Sequence, residues 1–242
     1  MKSDMHPGPL EWRRAQVREV LVETSRVRSL VVHVDGWPGH LPGQYVNVRA
    51  FSNEGSQPHR SYSIASAPED GLLTLTVERI GGGGLSTYLV DQLQRGDSFE
   101  LHGPIGRSLV WTAASDGPVT LLAGGLGIAP LMAMLRHRQR HHCPTHVVLL
   151  YSAKCVEDIV FREELNWMAR SDPHLRVNYT LTRSQPVEWS GYAGRINREL
   201  LAETCFPCEQ NPRHFICGPL PFVQQVSTLL LELGHGRSSI HT

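Results

Sequence analysis

The segment Arg60-Ser61-Tyr62-Ser63 carries side chains that suit a phosphate and a flat ring. In an extended strand, Arg60 and Tyr62 point to one face and the two serines point to the other. A guanidinium binds phosphate through two parallel hydrogen bonds, and a tyrosine ring offers a stacking surface. Ser63 offers a hydroxyl or a backbone N–H to a ring heteroatom. An exposed strand without a ligand explains the same four residues.

Two glycine-rich segments each lead into a predicted helix, where unpaired N–H groups favour phosphate. In the first, the four glycines at 81–84 precede Leu85 and Ser86, and Ser86 is the predicted N-cap. A flexible hairpin loop is the alternative interpretation. In the second, a buried strand runs into the turn at 124–127, and Pro130 follows early in the helix, where its missing N–H costs little. A tight turn without a ligand is the alternative here.

The segment Phe215-Ile-Cys-Gly-Pro219 places Cys217 at the end of another predicted strand. The carboxyl ends of parallel strands share one edge of a sheet, so this thiol is expected to face the 124–127 turn. A small polarizable side chain there suits a pocket for a flat ring. A buried cysteine beside a turn is the alternative. The separate pair Cys205 and Cys208 lacks the second pair that a four-cysteine metal site needs.

The first half of the chain must position the 60–63 segment, and its pattern is that of strands. Short apolar or alternating runs, bounded by Gly, Pro or Asp, predict an all-β barrel or sandwich. One helix interrupts them near 85–93. The predicted strands are 16–21, 27–34, 44–49, 61–65, 72–79 and 98–101.

After a polar connector at 112–118, strands alternate with helices. This order predicts right-handed βαβ units and a doubly wound parallel sheet. We therefore expect two domains, a β-barrel over residues 1–113 and an α/β domain over residues 114–242. The predicted strands are 118–123, 146–152, 176–182 and 214–217, and the predicted helices are 129–140, 159–170, 197–202 and 222–233.

Composition argues against several classes of function. Lysine plus arginine equals aspartate plus glutamate, at 23 each, so no global field attracts nucleic acid or an anionic membrane. The chain has no apolar run of about 18 residues and no apolar signal core near its start, so we expect a cytoplasmic monomer. An odd count of five cysteines argues against a disulfide framework. The histidines at 137, 141, 142 and 146 are interpreted as a solvated loop, with a metal site as the alternative, and no metal is expected.

In this order and spacing, the four segments resemble those of the ferredoxin–NADP reductase superfamily. The resemblance is greatest to its stand-alone reductases and to the reductase modules of multicomponent oxygenases, and it runs from about Trp12 to Ile240. It implies an antiparallel Greek-key β-barrel that binds flavin, followed by an α/β domain that binds a nicotinamide nucleotide. The residues that follow Tyr62 and the glycine-rich helix start look more like the FAD-binding members than the FMN-binding ones.

The resemblance also implies roles for single residues. Arg60 would hold a flavin phosphate, Tyr62 would stack on the isoalloxazine, and Ser63 would hydrogen-bond near N5, the atom that receives hydride. Cys217 would lie beside the nicotinamide, so Ser63 and Cys217 are the candidate catalytic residues. The other cofactor-binding candidates are Ser61, Ile64, Gly82, Gly83, Leu85 and Ser86 for the flavin, and Gly124, Gly125, Gly127, Pro130, Gly218 and Pro219 for the nicotinamide nucleotide.

Selection between NADPH and NADH depends on residues beyond the second strand of the α/β domain, where a 2′-phosphate needs positive or hydroxyl groups. The candidates are Ser152, Lys154 and Arg183, and they favour NADPH slightly, although ordinary surface charges explain the last two equally well. Leu126 departs from the resemblance, because the family commonly has Thr or Ser there. The resemblance also implies an aromatic ring that covers the flavin face opposite Tyr62. In this chain that ring is missing, comes from a partner, or is His241.

The function that the resemblance implies is electron transfer from NADPH or NADH through FAD to a separate acceptor, such as a ferredoxin or an oxygenase component. A flavin exchanges both hydride and single electrons, so the chemistry needs no acid–base dyad, and the sequence shows none. A non-catalytic flavin-binding regulatory module is one alternative. A free-flavin or ferric reductase is another.

Overall fold

A computed structural model describes residues 11–50, 58–112 and 117–242, and it contains two six-stranded sheets. In the first sheet every strand pair is antiparallel, in the order β4-β3-β6-β1-β2-β5. A bridge between Ile64 and Leu75 links the two edge strands, so the sheet closes as the predicted Greek-key barrel. Its strands are β1 (Arg13–Val22), β2 (Val27–Val34), β3 (Tyr45–Ala50), β4 (Arg60–Ser63), β5 (Leu73–Glu78) and β6 (Ser98–Ile105).

Alternation of side chains builds the barrel core. In β3, Val46 and Val48 are fully buried, while Tyr45 and Asn47 are only partly buried. Successive residues of a strand face opposite sides, so a period of two produces one apolar face and one wetter face. Because the same alternation recurs in the neighbouring strands, the first half of the chain has a single apolar interior.

The helix predicted near 85–93 is present in an altered form. A single turn, α1 (Leu85–Thr87), continues as a π-helical turn over Tyr88–Gln92. The N-cap is Gly84, so the prediction of Ser86 as N-cap is wrong. Ser86 lies inside the turn and is buried, and its hydroxyl oxygen accepts a hydrogen bond from the Ile80 amide at 3.2 Å.

The second sheet is entirely parallel, in the order β10-β9-β8-β7-β11-β12. Its two faces carry separate apolar clusters, one beneath α2 and α3 and the other beneath α4 and α5, which confirms the doubly wound sheet. The strands are β7 (Val119–Gly124), β8 (Val147–Ala153), β9 (Leu175–Leu181), β10 (Tyr192–Ala193), β11 (Arg213–Cys217) and β12 (Ile240–His241), and the helices are α2 (Ile128–Arg140), α3 (Arg162–Ser171), α4 (Arg198–Thr204) and α5 (Leu220–Glu232).

Differences from the sequence prediction are local. The edge strands β10 and β12 have two residues each, too few to produce a periodic pattern. Helix α3 begins three residues later than predicted, because a 3-10 turn over Val156–Asp158 precedes it and Phe161 adopts a left-handed conformation. The interpretation of the histidine group as a loop is wrong for His137, which is buried in the last turn of α2.

Barrel residues complete the core of the α/β domain. Val27, Ala65 and Trp111 pack within the apolar cluster that otherwise belongs to the second sheet, and Trp111 is only 2% exposed. Arg136 of α2 donates a 2.8 Å hydrogen bond to the Ala65 carbonyl. This shared packing holds the edge of the barrel against the carboxyl ends of the parallel strands. The predicted boundary between residues 113 and 114 lies outside the described residues, and none of the described helices has the length and hydropathy of a membrane span.

Candidate functional site

A cleft of about 390 Å³ lies where the barrel meets the carboxyl ends of β7, β8 and β11. Several predicted residues line it together, which confirms that the topology brings the distant segments to one place. These are Ser61, Tyr62, Ser63, Gly124, Gly125, Gly127, Lys154, Cys217, Gly218 and Pro219.

The barrel wall of the cleft includes the edge strand β4, which pairs with β3 in its sheet. The Tyr62 ring packs partly on the barrel core and partly lines the cleft. Burial raises the pKa of the Tyr62 phenol to about 12, although the Arg60 charge acts in the opposite direction. The ring is therefore neutral at physiological pH. The Ser61 hydroxyl donates to Asn47 Oδ1 at 2.8 Å, which leaves Ser63 as the more available serine.

Two other residues of this segment lie away from the cleft lining. Arg60 is exposed, and its guanidinium lies 3.5 Å from the His59 carbonyl oxygen, which is long for a hydrogen bond. A phosphate would be a closer and stronger partner for this guanidinium. Ile64 is fully buried in the barrel, and its amide already donates to the Gln44 carbonyl at 3.0 Å. Neither its side chain nor its N–H is therefore presented to a cofactor.

The opposite wall is the glycine turn between β7 and α2. Gly125 has a φ of +54° and open space where a Cβ would stand, so a ligand can approach its backbone closely. Gly127 is glycine for a different reason, because a Cβ there would lie 2.0 Å from the Cys217 carbonyl oxygen. The turn ends in α2, where Pro130 is buried in the first helical turn. The glycine pattern thus combines ligand access with tight packing between two turns.

Cys217 ends β11 and completes this wall. Burial raises the pKa of its thiol to about 11, while the Gly218 N–H partly counteracts that effect. The side chain is therefore an uncharged thiol near neutral pH, suited to contact with a neutral ring. Gly218 packs closely against Gly124 and Phe222. A Cβ at Gly218 would lie 3.1 Å from Gly124 and 2.8 Å from the Phe222 ring.

A second cavity of about 320 Å³ lies on the other side of Gly124 and Gly125. Two of the three residues predicted to select the coenzyme, Ser152 and Lys154, line it, and Lys154 borders both cavities. Arg183 does not line either of these two cavities, and its amide donates to the Lys154 carbonyl at 2.9 Å. Arg195 lines the second cavity instead, and the sequence reasoning did not identify it.

The sequence reasoning also missed polar residues of the barrel that line the main cleft. Arg26, in the turn before β2, forms an ion pair at 2.7 Å with Glu78 at the end of β5, and Thr24 and Thr76 also line the cleft. Thr76 and Glu78 belong to an ordinary barrel strand, and Thr24 and Arg26 to the short turn before β2, so no local motif marks these side chains. Only the pairing of β2 with β5 and the position of the second domain bring them to the cleft.

The glycine loop at 81–84 lies outside the described cleft lining. Gly82 and Gly83 have φ values of +99° and +82°, and both have open space where a Cβ would stand. This conformation favours glycine and exposes backbone groups. Leu85 packs against the barrel core, which anchors the end of the loop. The loop is an open backbone surface next to the barrel.

The cleft fits the two flat rings that the motifs predict. It offers an aromatic face at Tyr62, a glycine turn without Cβ atoms at Gly125, and the start of a long helix whose N–H groups favour phosphate. Of the two departures noted in the sequence, Leu126 lines the cleft as an apolar wall. His241 does not line it, because its ring stacks on Phe215 with centroids 4.8 Å apart.

A Greek-key barrel whose edge strand faces the glycine turn of a doubly wound parallel sheet defines a class of two-domain, dinucleotide-binding oxidoreductases. Family models agree: the oxidoreductase FAD-binding domain matches residues 17–109, and the oxidoreductase NAD-binding domain matches residues 121–228. The ferredoxin–NADP reductase B of Sorangium cellulosum is 36% identical over 208 residues, which is 82% of both proteins. The chain belongs to the ferredoxin–NADP reductase superfamily.

Other relatives are longer. The glycine betaine monooxygenase reductase subunit of Pseudomonas aeruginosa is 32% identical over 83% of this chain, and the matched region covers 54% of that relative. The chain thus spans about half the length of such relatives. Among solved structures, the FAD/NAD-binding domain of nitric oxide dioxygenase from Vibrio cholerae superposes with a TM-score of 0.84 at 26% identity, over 95% of this chain and 96% of that one. The cytochrome P450 reductase of Amycolatopsis superposes with a TM-score of 0.84 at 26% identity, over 99% of this chain and 72% of that one.

Proposed function

We propose that this chain is an FAD-dependent NAD(P)H oxidoreductase that passes electrons to a separate acceptor, such as a ferredoxin or an oxygenase component. The cleft carries the proposal, because it joins Tyr62 of the barrel to Cys217 of the α/β domain in one space. Bound there, FAD would supply hydride acceptance and single-electron release. The named relatives, a ferredoxin–NADP reductase and an oxygenase reductase subunit, support this class of acceptor.

On the flavin side, the chain's own residues bind and orient. The neutral Tyr62 ring offers its face for stacking, and the Ser63 hydroxyl offers a hydrogen bond to the ring edge near N5. Arg60 and the open backbone at Gly82 and Gly83 would hold the phosphates. Leu85 anchors the end of that loop by packing on the barrel core. The Ser86 hydroxyl anchors its start by accepting a hydrogen bond from the Ile80 amide.

On the nicotinamide side, the turns at 124–127 and 217–219 would hold the nicotinamide ring in place. Gly125 leaves its backbone accessible at the start of α2, where the nucleotide phosphates would bind. Cys217, Gly218 and Pro219 would bracket the nicotinamide, and the uncharged thiol allows close contact without a charge to desolvate. Leu126 adds apolar surface and helps to keep water out of the cleft.

The second cavity favours NADPH as the coenzyme. Lys154 and Arg195 both line it, and their positive charges suit a 2′-phosphate, while Ser152 can add a hydroxyl donor. The proposal therefore replaces the predicted Arg183 with Arg195. A ratio of kcat/KM for NADPH over NADH above about ten corresponds to one charge-assisted contact, and a ratio near one would contradict this choice.

Further features of the proposal concern the whole protein. We propose that the flavin domain comprises residues 1–113 and the nicotinamide-nucleotide domain residues 114–242, in a cytoplasmic monomer. The shared core around Trp111 supports a fixed arrangement of the two domains. Because His241 packs on Phe215, the flavin face opposite Tyr62 is covered by another group or left open to the acceptor.

The decisive experiment is anaerobic titration of purified protein, reconstituted with FAD, by NADPH and by NADH. We expect a visible flavin spectrum that bleaches on addition of one equivalent of the preferred coenzyme. Reoxidation by a ferredoxin, measured in the same cell, then tests transfer to a separate acceptor. A flavin spectrum that neither coenzyme bleaches would support a non-catalytic flavin-binding module, and failure to retain FAD would refute the cofactor assignment.

A further inference from the structure

Glu69, His137 and His141 bring three metal-ligating atoms together at the junction of the two domains. Glu69 lies in the 3-10 turn Pro68–Asp70 of the barrel domain, and the two histidines come from the end of α2. The Glu69 Oε1 oxygen lies 2.8 Å from His137 Nδ1 and 2.9 Å from His141 Nε2. All three ligand atoms lie within 4.8 Å of one another, so small side-chain movements would bring them to a single cation.

The spacing of the histidines has a simple origin. Residues four apart lie on the same face of a helix, one turn above the other. His137 and His141 follow this rule, and their ring centroids are 4.5 Å apart. A pair of histidines at this spacing is one of the arrangements by which a single helix holds zinc. Here the helix supplies two nitrogens and the other domain supplies an oxygen.

We propose that Glu69, His137 and His141 form a binding site for a divalent transition-metal ion of the zinc type, with water as the remaining ligand. Two imidazole nitrogens and a carboxylate oxygen are ligands that zinc accepts at about 2.0–2.2 Å. Tetrahedral ligands at that distance lie about 3.3 Å apart. The observed separations from Glu69 of 2.8 and 2.9 Å therefore need to open by only about half an ångström.

The surroundings hold the site in place and limit its charge. His137 has a side chain only 11% exposed, and the edge of its ring meets Trp111 with centroids 6.1 Å apart. Beside the cluster, Arg140 forms an ion pair with Asp70 at 2.8 Å, so that pair contributes no net charge. Glu69 then provides the negative charge that a dication needs. His141 is 49% exposed, which leaves an entry path from solvent.

The site lies far from the proposed redox chemistry. It is at the end of α2 opposite the glycine turn, about 14–20 Å along the helix from Ile128. A metal ion there would tie the barrel domain to the α/β domain without touching either coenzyme. The inference is thus independent of the proposed function, and the expected effect is on the stability of the two-domain unit.

The test is titration of the intact, metal-free protein with ZnCl₂ by calorimetry, followed by thermal unfolding with and without zinc. We expect one equivalent to bind at micromolar concentration or tighter, and saturation to raise Tm by about 5 °C. Glu69→Gln and His141→Asn replace partly exposed side chains and should fold. Each should weaken zinc binding at least tenfold and abolish the Tm increase.

The matched control is His142→Asn, which removes the neighbouring exposed histidine while asparagine tolerates its φ of +47°. That variant should bind zinc as the parent does. Cobalt(II) in place of zinc distinguishes nitrogen and oxygen ligands from cysteine, because thiolate ligation adds an intense near-ultraviolet charge-transfer band. Absence of one-equivalent binding, a thiolate band, or unchanged binding in Glu69→Gln and His141→Asn would overturn the proposal.

Discussion

At the scale of single residues, the proposed site combines neutral groups suited to contact with rings and exposed groups suited to contact with phosphates. Tyr62 and Cys217 belong to the first kind, since burial raises the pKa of both side chains. Arg60 belongs to the second kind, since its guanidinium is exposed beside the cleft strand. The two kinds of residue therefore need different experiments. The pH dependence of the reaction tests the first kind, and titration with the cofactor tests the second.

Flavin reduction by NAD(P)H should be independent of pH between about 7 and 9, because the Cys217 thiol titrates near 11 rather than near the ordinary value of about 8.5. A raised pKa keeps the acid in its neutral form over that whole range. Stopped-flow reduction under anaerobic conditions measures this directly. A rate that changes with an apparent pKa near 8.5, and that becomes flat in Cys217→Ser, would show that the thiol ionises in the working range.

Arg60→Ala should weaken FAD binding by about tenfold or more, because it removes a charge-assisted contact with phosphate. The rate of hydride transfer in the FAD-loaded fraction should change much less, since Arg60 does not line the cleft. Fluorescence titration of the apoprotein gives the first quantity, and single-turnover reduction gives the second. Arg18→Ala, an exposed arginine on β1, is the control and should retain FAD as the parent does. Equal retention in Arg60→Ala would contradict the phosphate role.

At the scale of elements, two glycine-containing turns after β7 and β11 pack so closely that a side chain cannot be added at Gly127 or Gly218. The carbonyl of Cys217 occupies the place where a Cβ of residue 127 would stand. Adjacent parallel strands meet at the same edge, and β11 pairs with β7 from Arg213 to Cys217. The glycines in these two turns and the pairing of β7 with β11 thus depend on each other.

Gly127→Ala should destabilise the protein by about 3 kcal/mol, because the added carbon would lie 2.0 Å from a backbone oxygen and the turns must separate. NAD(P)H binding should weaken in the same variant, since both turns line the cleft. Urea unfolding measures the free energy of unfolding. Gly81→Ala has open space at its Cβ and serves as the control. A cost for Gly127→Ala no larger than for the control would mean that the turns relax freely.

Strand β11 also carries a buried histidine that should set the acid sensitivity of the fold. Burial lowers the pKa of His214 to about 3, and the neighbouring imidazoles of His235 and His241 add to the effect. His214 Nε2 lies 3.0 Å from His235 Nδ1, and its Nδ1 has no hydrogen-bond partner among the described residues. The native state therefore keeps this ring neutral, whereas the unfolded chain protonates it near pH 6.5.

Since the unfolded state binds the extra proton between about pH 6.5 and pH 3, stability should fall as pH falls through that window. Between pH 7.5 and pH 5, His214 alone should account for a loss of about 2 kcal/mol. His214→Gln should flatten the dependence, measured by urea unfolding at several pH values. The exposed histidine variant His142→Asn should keep the parental slope. If His214→Gln also keeps that slope, the acid sensitivity originates elsewhere.

At the scale of the whole molecule, the two domains behave as one packing unit, because barrel residues complete the core of the second sheet. Trp111 is central to this arrangement, being buried in that core and in contact with His137 of α2. Arg136 and Arg140 of the same helix reach the barrel at Ala65 and Asp70. The cleft exists only while these contacts hold the domains in place.

Trp111→Ala should cost about 3–5 kcal/mol and divide thermal unfolding into two transitions, because it removes the largest buried side chain between the domains. Trp111→Phe keeps an aromatic ring in the core and should preserve a single transition. Differential scanning calorimetry distinguishes the two cases. A single transition in the Trp111→Ala variant would show that the polar contacts of α2 are sufficient to couple the domains.

Local patterns in the sequence determined the two-domain architecture, the long strands and helices, and the motif residues, because periodicity and glycine placement are local properties. They did not reveal the two-residue strands β10 and β12, or the contributions of Arg26, Glu78 and Arg195. Those features depend on which strands become neighbours, and no short window of sequence contains that information.

Tertiary structure alone decided which candidate residues share one space and why Gly127 and Gly218 have no room for a side chain. It placed Ile64 in the core and His241 against Phe215, and it brought Glu69 to a histidine pair 68 residues away in sequence. Contacts between distant segments depend on the summed packing of both domains. Sequence therefore identified the candidate groups for the proposed chemistry, whereas packing set the distances between them.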